Sequence, residues 1–471
     1  MTEFVPPRPV MLSKKASLLD HIKHGLHSGI GMFMSGSYET VGVGRHPIPT
    51  MPRGKIRTLF TVRTPELIKE VLVRRAEDFP KSALMDDMLR ALTGYSIFVS
   101  NGEAWKRHRR LMDPAFEGAR IRDVFPMMLD AVDACVARLH EAAAESARTG
   151  EPVAVAVDVE MTHYAADVIF RTIYSEPMDG AEARRFFKAF NVFQEIAYAH
   201  GMLKLAKVPT FLLPGHWRAK KAAKVIREIL GAPLKRRLEK VKRGEPTPDK
   251  DILSTLLTTV DPVTGTKFDG DELLDQIAML FLAGHETSAT AIAWALYLLA
   301  NAPDFQDRVR AEAAAAYGDQ RPAFSHMRRL PLTRDVFREA MRLYPPVAVV
   351  ARDAAKPEQM MNRTIAPGAV IFVSPWLMHR HTKHWDKPDV FDPDRFETPN
   401  GEEGLKTAYL PFSMGPRVCA GASFALQEAV LLLSEVVRRF EFKPMPGHVP
   451  DPVARLTLRS ANGIPLFVTP R

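Results

Sequence analysis

Cysteine is nearly absent: Cys135 and Cys419 are the two thiols in 471 residues. So few exclude a disulfide scaffold, and they exclude any multi-cysteine zinc or iron–sulfur site within one chain. Whatever a cysteine does here, it does alone. Long apolar runs are missing too. The longest, Ile277 to Gly284 and Ala291 to Ala300, fall short of the roughly 20 residues a membrane helix needs, and His285 and Glu286 lie between them. The segment Met1 to Pro9 holds three prolines and no apolar run, so it resembles neither a secretion signal nor an anchor. The expectation is a cytoplasmic protein whose membrane contact is at most peripheral. Extreme charge is also lacking. The 64 Lys and Arg against 55 Asp and Glu leave +9, and no recognition motif accompanies that excess, so no nucleic-acid partner is expected.

No repeat, low-complexity tract or Gly/Ser linker divides the chain. One domain over residues 1–471 is expected, with a short flexible lead-in over about residues 1–10. At 46% hydrophobic and 25% charged, the composition is that of a globular protein, long enough to enclose a deep site. Helical periodicity predicts helices over Pro126–Ala147, Gly180–Ala199, Trp217–Arg243, Gly270–Asn301, Leu332–Leu343 and Gly421–Phe440. Lys55–Arg63 and Ala369–Val373 read as strands, and helices thin out from about Glu358 to Asn400. The fold class is therefore mainly α with a small β-rich lobe. His216 to Arg243 carries 11 Lys and Arg against two Glu, which reads as a solvated helix face or a surface steering an acidic partner. Just upstream, Met202 to Pro214 is largely apolar, leaving shallow membrane contact open.

Near the C-terminus the chain reads Pro411-Phe412-Ser413-Met414-Gly415-Pro416-Arg417-Val418-Cys419-Ala420-Gly421. The flanking glycines permit a tight turn whose backbone passes close to a bound group. A helix follows at once, and a helix N-terminus lowers the cost of the thiolate, the form that ligates metal. An isolated cysteine is otherwise most often a small core residue, and Cys135 is read that way. Phe412, Gly415, Arg417, Cys419 and Gly421 at these offsets resemble the haem-binding loop of the cytochrome P450 family. The resemblance implies that Cys419 is the proximal ligand of haem b, that Phe412 packs beside it, and that Arg417 pairs with a haem propionate. It also implies the family's triangular helical prism.

Other motifs follow in the family's order. Glu339 and Arg342, three apart on one helix, with Arg395 in Pro393-Asp394-Arg395-Phe396, resemble its structural triad, which would lock the region supporting the cysteine loop. Trp105 and Arg109, one turn apart, resemble its haem-contacting helix, and Arg352 matches another propionate arginine. His108 is a further candidate to assist there. Within Gly270–Asn301, Ala283, Gly284 and Thr287 border one strip. A glycine costs about 1 kcal/mol in a helix interior, so its small size must serve something, a flat cofactor or helix packing. Ala283-Gly284-His285-Glu286-Thr287 resembles the family's oxygen-activation motif. By that resemblance the Thr287 hydroxyl holds the distal oxygen and an ordered water, Glu286 replenishes protons from solvent, and Thr287 can also bond the Ala283 carbonyl.

The implied activity is monooxygenation. Haem activates dioxygen with two electrons, and a hydrophobic small molecule (lipid, terpenoid, steroid or aromatic) is hydroxylated or epoxidised. No fused reductase is read from the sequence, so a separate ferredoxin- or flavodoxin-type donor with its reductase is expected, docking near Lys106, Arg107 and Arg110 of a monomer. By family analogy the substrate pocket is lined by Met85–Phe98, Phe190–Tyr198, Ala283, Val347–Val350 and Ser460–Ala461. Two alternatives share Cys419: a peroxygenase driven by hydrogen peroxide, for which the Glu286–Thr287 pair is unnecessary, and a non-enzymatic haem-thiolate gas sensor.

Overall fold

The computed structural model describes residues 3–9, 11–12, 17–31, 33, 35–46, 58–149, 153–178, 180–205, 208 and 212–471. Its helices are α1 (Leu18–His27), α2 (Pro65–Lys69), α3 (Ala83–Thr93), α4 (Gly102–Met112) and α5 (Gly118–Thr149). There follow α6 (Val157–Tyr174), α7 (Gly180–Leu205), α8 (His216–Lys242), α9 (Ile252–Thr258) and α10 (Gly270–Ala300). The last are α11 (Pro303–Tyr317), α12 (Pro331–Leu343), α13 (Pro375–Met378), α14 (Pro399–Thr407) and α15 (Ala422–Arg439). The strands are short: β1 (Val43–His46), β2 (Leu59–Val62), β3 (Ala154–Ala156), β4 (Val350–Asp353), β5 (Glu358–Met360), β6 (Arg363–Ile365) and β7 (Val370–Val373). Near the C-terminus come β8 (Phe440–Pro444), β9 (Pro452–Ala454), β10 (Leu458–Ser460) and β11 (Pro465–Pro470).

Helix α10 is the axis of the body. Asp269 caps it by accepting from the Glu272 amide at 2.8 Å, and the Glu272 carboxylate returns the bond to the Asp269 amide at 3.1 Å. Pro303, two residues past Asn301, starts α11 and prevents α10 from continuing. Along its length α10 packs on α6, and with α5, α12 and α15 it forms the main apolar core. A second core lies under the sheet β1-β2-β7-β4, where β2 and β7 run parallel and the other pairs antiparallel. It joins Phe60, Val71, Phe79, Ile371, Trp385 and Leu410.

The six periodic segments fold as helices with ends shifted by up to eight residues. Ala369–Val373 is β7; of Lys55–Arg63, residues 59–62 form β2, while Lys55 to Arg57 lie outside the described residues. So do residues 206, 207 and 209–211 of the apolar stretch Met202–Pro214. Beside it Leu212 and Trp217 are exposed, with Lys220 stacked on the Trp217 ring.

Residues 3–9, where a flexible lead-in is expected, form no regular element and are tied to the body by hydrogen bonds and an ion pair. The Phe4 carbonyl accepts from the Phe391 amide at 3.0 Å, the Pro7 carbonyl from the Tyr344 hydroxyl at 2.7 Å, and Arg8 pairs with Asp389.

Candidate functional site

Cys419 sits in the turn before α15, and the fold dictates that turn. Gly415 has φ +76°, and a Cβ there would lie 2.2 Å from the Leu72 carbonyl oxygen, so only glycine fits. The Cys419 amide donates to the Phe412 carbonyl at 3.0 Å, which closes the loop. Gly421 caps α15 at φ −86°, and a Cβ there would meet only the Phe116 ring at 3.8 Å, so no neighbouring protein group requires glycine at this position. The Cys419 side chain lies deep within the fold yet keeps an open face. Burial pushes its thiol up, against the Gly421 N–H and the Arg109 cation, which favour the thiolate. The backbone N–H at the helix start thus favours the thiolate as expected, and desolvation opposes it. Cys135 is buried in the main core.

Facing inward near this loop is a group of cations. Arg109 on α4 donates to the Val418 carbonyl at 2.7 Å and pairs with Asp113 at 2.6 Å. Arg417 donates to the Phe79 carbonyl at 3.1 Å, and its Nε is buried with no hydrogen-bond partner. Arg417 and Lys81 both stand over the Trp105 ring, at 5.3 and 5.9 Å from its centroid. Arg352, buried on β4, bonds only the Ala351 carbonyl among the described residues. Burial, then Arg417, lowers Arg352 to about 10. Burial, then Arg417, Arg352 and Arg109, lowers Lys81 to about 6. Among the described residues none of Lys81, Arg352 and Arg417 pairs with a carboxylate. Two inward guanidiniums lacking a counter-charge, with Lys81 beside them able to take up a proton when an anion binds, suit a ligand with two carboxylates, the charge that haem propionates carry.

Lys81 was not singled out by sequence reasoning. A lone lysine after Phe79-Pro80 has neither periodicity nor a spaced partner to mark it, and only the fold brings it to Trp105. His108 does not join the cations. It is buried between the Tyr95 and Phe268 rings, 3.1 Å from the Ser100 hydroxyl, and burial pushes its imidazole toward the neutral form.

On α10 the residues from Phe281 to Ala300 are buried except Leu282, Ala283, Gly284 and Thr287. With Leu280 also half-buried, positions 280, 283, 284 and 287 form one accessible strip at helical spacing. The Thr287 hydroxyl donates to the Ala283 carbonyl at 2.7 Å. A Cβ at Gly284 would fall 2.4 Å from Cδ1 of Ile169 on α6, so helix packing is one use of its small size. Glu286 is 1% exposed, and its Oε1 accepts from Thr457 Oγ1 at 2.7 Å and Arg459 Nη2 at 2.5 Å. Both donors escaped the sequence reading, which took the neighbouring Ser460–Ala461 as pocket wall.

In the expected docking patch Lys106 pairs with Glu77 and Glu103, Arg107 with Glu272, and Arg110 grips Asp261 through two nitrogens at 2.5 and 3.0 Å. The triad assembles as expected: Arg342 donates twice to Glu339 at 2.7 and 2.8 Å and Arg395 once at 2.9 Å, all three buried. Among the described residues no helix is long and apolar enough to cross a membrane.

The family model for cytochrome P450 matches residues 45–466. Cyclooctatin synthase from Streptomyces melanosporofaciens is 29% identical over 418 residues, covering 88% of this chain and 87% of that protein. Cyclooctat-9-en-7-ol 5-monooxygenase from the same organism is 31% identical over 385 residues, covering 81% and 80%. The crystal structure of the cytochrome P450DA haem domain superposes with a TM-score of 0.77 at 24% identity, covering 91% of this chain and 90% of that one, a likeness of fold.

Proposed function

The chain belongs to the cytochrome P450 family and is a P450 monooxygenase, and on that premise we propose that it hydroxylates or epoxidises a terpenoid. The electrons would come from a separate ferredoxin- or flavodoxin-type donor in the cytoplasm. Two relatives named for oxidising cyclooctatin-type compounds support the substrate class. Apolar side chains of the expected pocket wall support it too, with Met85, Met88, Phe98 and Val349 half-buried against the main core.

The observation that carries the reading is the cation group around Trp105, tied to the cysteine loop by the Arg109 bond to the Val418 carbonyl. Cys419 would hold haem b from one side, with Phe412 closing the loop behind it and Gly421 opening α15. Arg352, Arg417, Lys81 and Arg109 would take the propionates around Trp105. Ala283 and Thr287 would line the opposite side. When bound, haem supplies the dioxygen activation and the oxidising power. The protein's part is to bind, orient and move protons. The Thr287 proton is committed to the Ala283 carbonyl, so its hydroxyl has lone pairs to offer and serves as an acceptor. It would orient a water that donates, and Glu286, next along the helix, would renew that water's proton.

The test is optical. Reduced protein under carbon monoxide is expected to show the strongly red-displaced band of thiolate coordination, and an imidazole-type spectrum from fresh material refutes the reading. Adding cyclooctat-9-en-7-ol to the resting protein and following displacement of the iron-bound water tests the substrate class. Thr287→Ala is expected to keep electron consumption and lose product by about tenfold or more, measured as product per electron pair.

A further inference from the structure

Of the cations that face the proposed propionate site, Lys81 alone can change its charge near neutral pH, since guanidiniums keep their protons there. Its place is fixed by its backbone. The Lys81 amide donates to Asn101 Oδ1 at 2.9 Å, and Asn101 Nδ2 returns a bond to the Lys81 carbonyl at 3.2 Å. A β-bridge pairs it with Arg352 on β4. From there Nζ reaches over the Trp105 ring, beside Arg417, and donates to the Ile97 carbonyl. A neutral amine keeps N–H groups enough to make that bond.

Among the described residues, the charges that act on Nζ are all positive: Arg417 of the cysteine loop, Arg352 of β4 and Arg109 of α4. The acids on the surrounding elements are engaged elsewhere. Asp353, next to Arg352, accepts from the Ser82 hydroxyl at 2.6 Å and the Ala83 amide at 3.0 Å. Asp113 pairs with Arg109, Glu77 with Lys106 and Glu272 with Arg107. His108, held toward its neutral form by burial, adds no charge at pH 8. Burial and the three guanidiniums together lower the amine to about 6, so above that pH it stands uncharged until an anion arrives.

We propose that Lys81 takes up a proton as haem binds and holds a propionate as an ammonium, so that haem binding is coupled to a proton. The proposal rests on the reading of this cation group as the propionate site. The step is proton transfer only: a buffer acid or hydronium gives one proton to the Nζ lone pair and is left as its conjugate base. An anion beside Nζ sets an attraction against the three repulsions, which raises the amine in the bound state. The contribution of Lys81 to haem affinity is full below about pH 6 and falls as pH rises, by up to about tenfold per pH unit.

The test counts protons and needs no turnover. Haem is titrated calorimetrically into the haem-free full-length chain at pH 8, in buffers of differing ionisation enthalpy. The parent is expected to take up about one proton per haem more than Lys81→Met, and protons exchanged elsewhere cancel in that difference. At pH 5, where the amine is already charged, the two counts are expected to agree. Lys81→Arg, charged throughout this range, is expected to give the Lys81→Met count while keeping the parent's hold on haem. From the loaded protein, haem loss to apomyoglobin is expected to be about tenfold faster for Lys81→Met and unchanged for Lys81→Arg. Equal proton counts for the parent and both variants at pH 8, or equal haem loss from parent and Lys81→Met, overturn the proposal. Haem dimethyl ester, which has no free carboxylate, separates this from failure of the site reading. With the ester the difference between parent and Lys81→Met is expected to vanish. Its persistence refutes the propionate site itself, because the amine then gains its proton without a carboxylate.

Discussion

Two arginine clusters in this molecule settle their charge in opposite ways. Arg342 and Arg395 share Glu339, and their remaining N–H groups go to the carbonyls of His379, Asp386, Pro388 and Val390. Burial alone would raise the Glu339 carboxyl, but the two guanidiniums hold it below its ordinary value. Among the described residues Arg352 and Arg417, with Lys81 beside them, have carbonyls for partners and no acid. The first cluster is electrically complete as folded and ties α12 to the Pro393–Glu397 turn. The second needs an anion from outside, which is what separates a structural lock from a binding site built of the same residue type.

Breaking the lock gives the largest expected effect. Glu339→Gln strands two buried guanidiniums and is expected to cost about 3–5 kcal/mol, read as a lowered urea midpoint. A variant as stable as the parent removes the distinction.

A buried acid without a cation is the converse case. Glu428 on α15 accepts from the Ser288 hydroxyl at 3.0 Å, and burial raises it from 4.5 to about 8. The folded state thus keeps a proton that the unfolded chain releases. Stability is full below about pH 4.5 and falls as pH rises toward about 8, by at most about 1.4 kcal/mol per pH unit. Glu428→Gln is expected to flatten that slope in urea titrations at pH 5 and 7. An equal slope in both proteins shows that Glu428 ionises freely.

The smallest effect sharpens the contrast most. Arg352→Ala removes a cation that no acid partners, so the haem-free protein is expected to be no less stable. Haem retention should nonetheless weaken by about tenfold to a hundredfold, measured by transfer to apomyoglobin. Loss of stability in the haem-free variant would make Arg352 part of a lock after all.

Local patterns were legible where one residue's neighbours in sequence are also its neighbours in space. The long amphipathic helices, the cysteine turn and the Glu339–Arg342 pair are of that kind. Thr287 and the Ala283 carbonyl were legible as well, since four residues make one helical turn. Lys81, Thr457 and Arg459 were not, because each acts across elements that only tertiary folding brings together. Gly284 shows the limit inside a recognised motif: sequence marks the need for a small residue, but not that Ile169 on another helix lies against it. The ion pairs of Lys106, Arg107 and Arg110 were illegible for the same reason, since most of their acids are distant in sequence.

The segment of residues 3–9 has a consequence for assembly. Arg8 and Pro7 meet partners 381 and 337 residues further along the chain, so their contacts close very long loops, whose entropy must be lost before the contacts reward it.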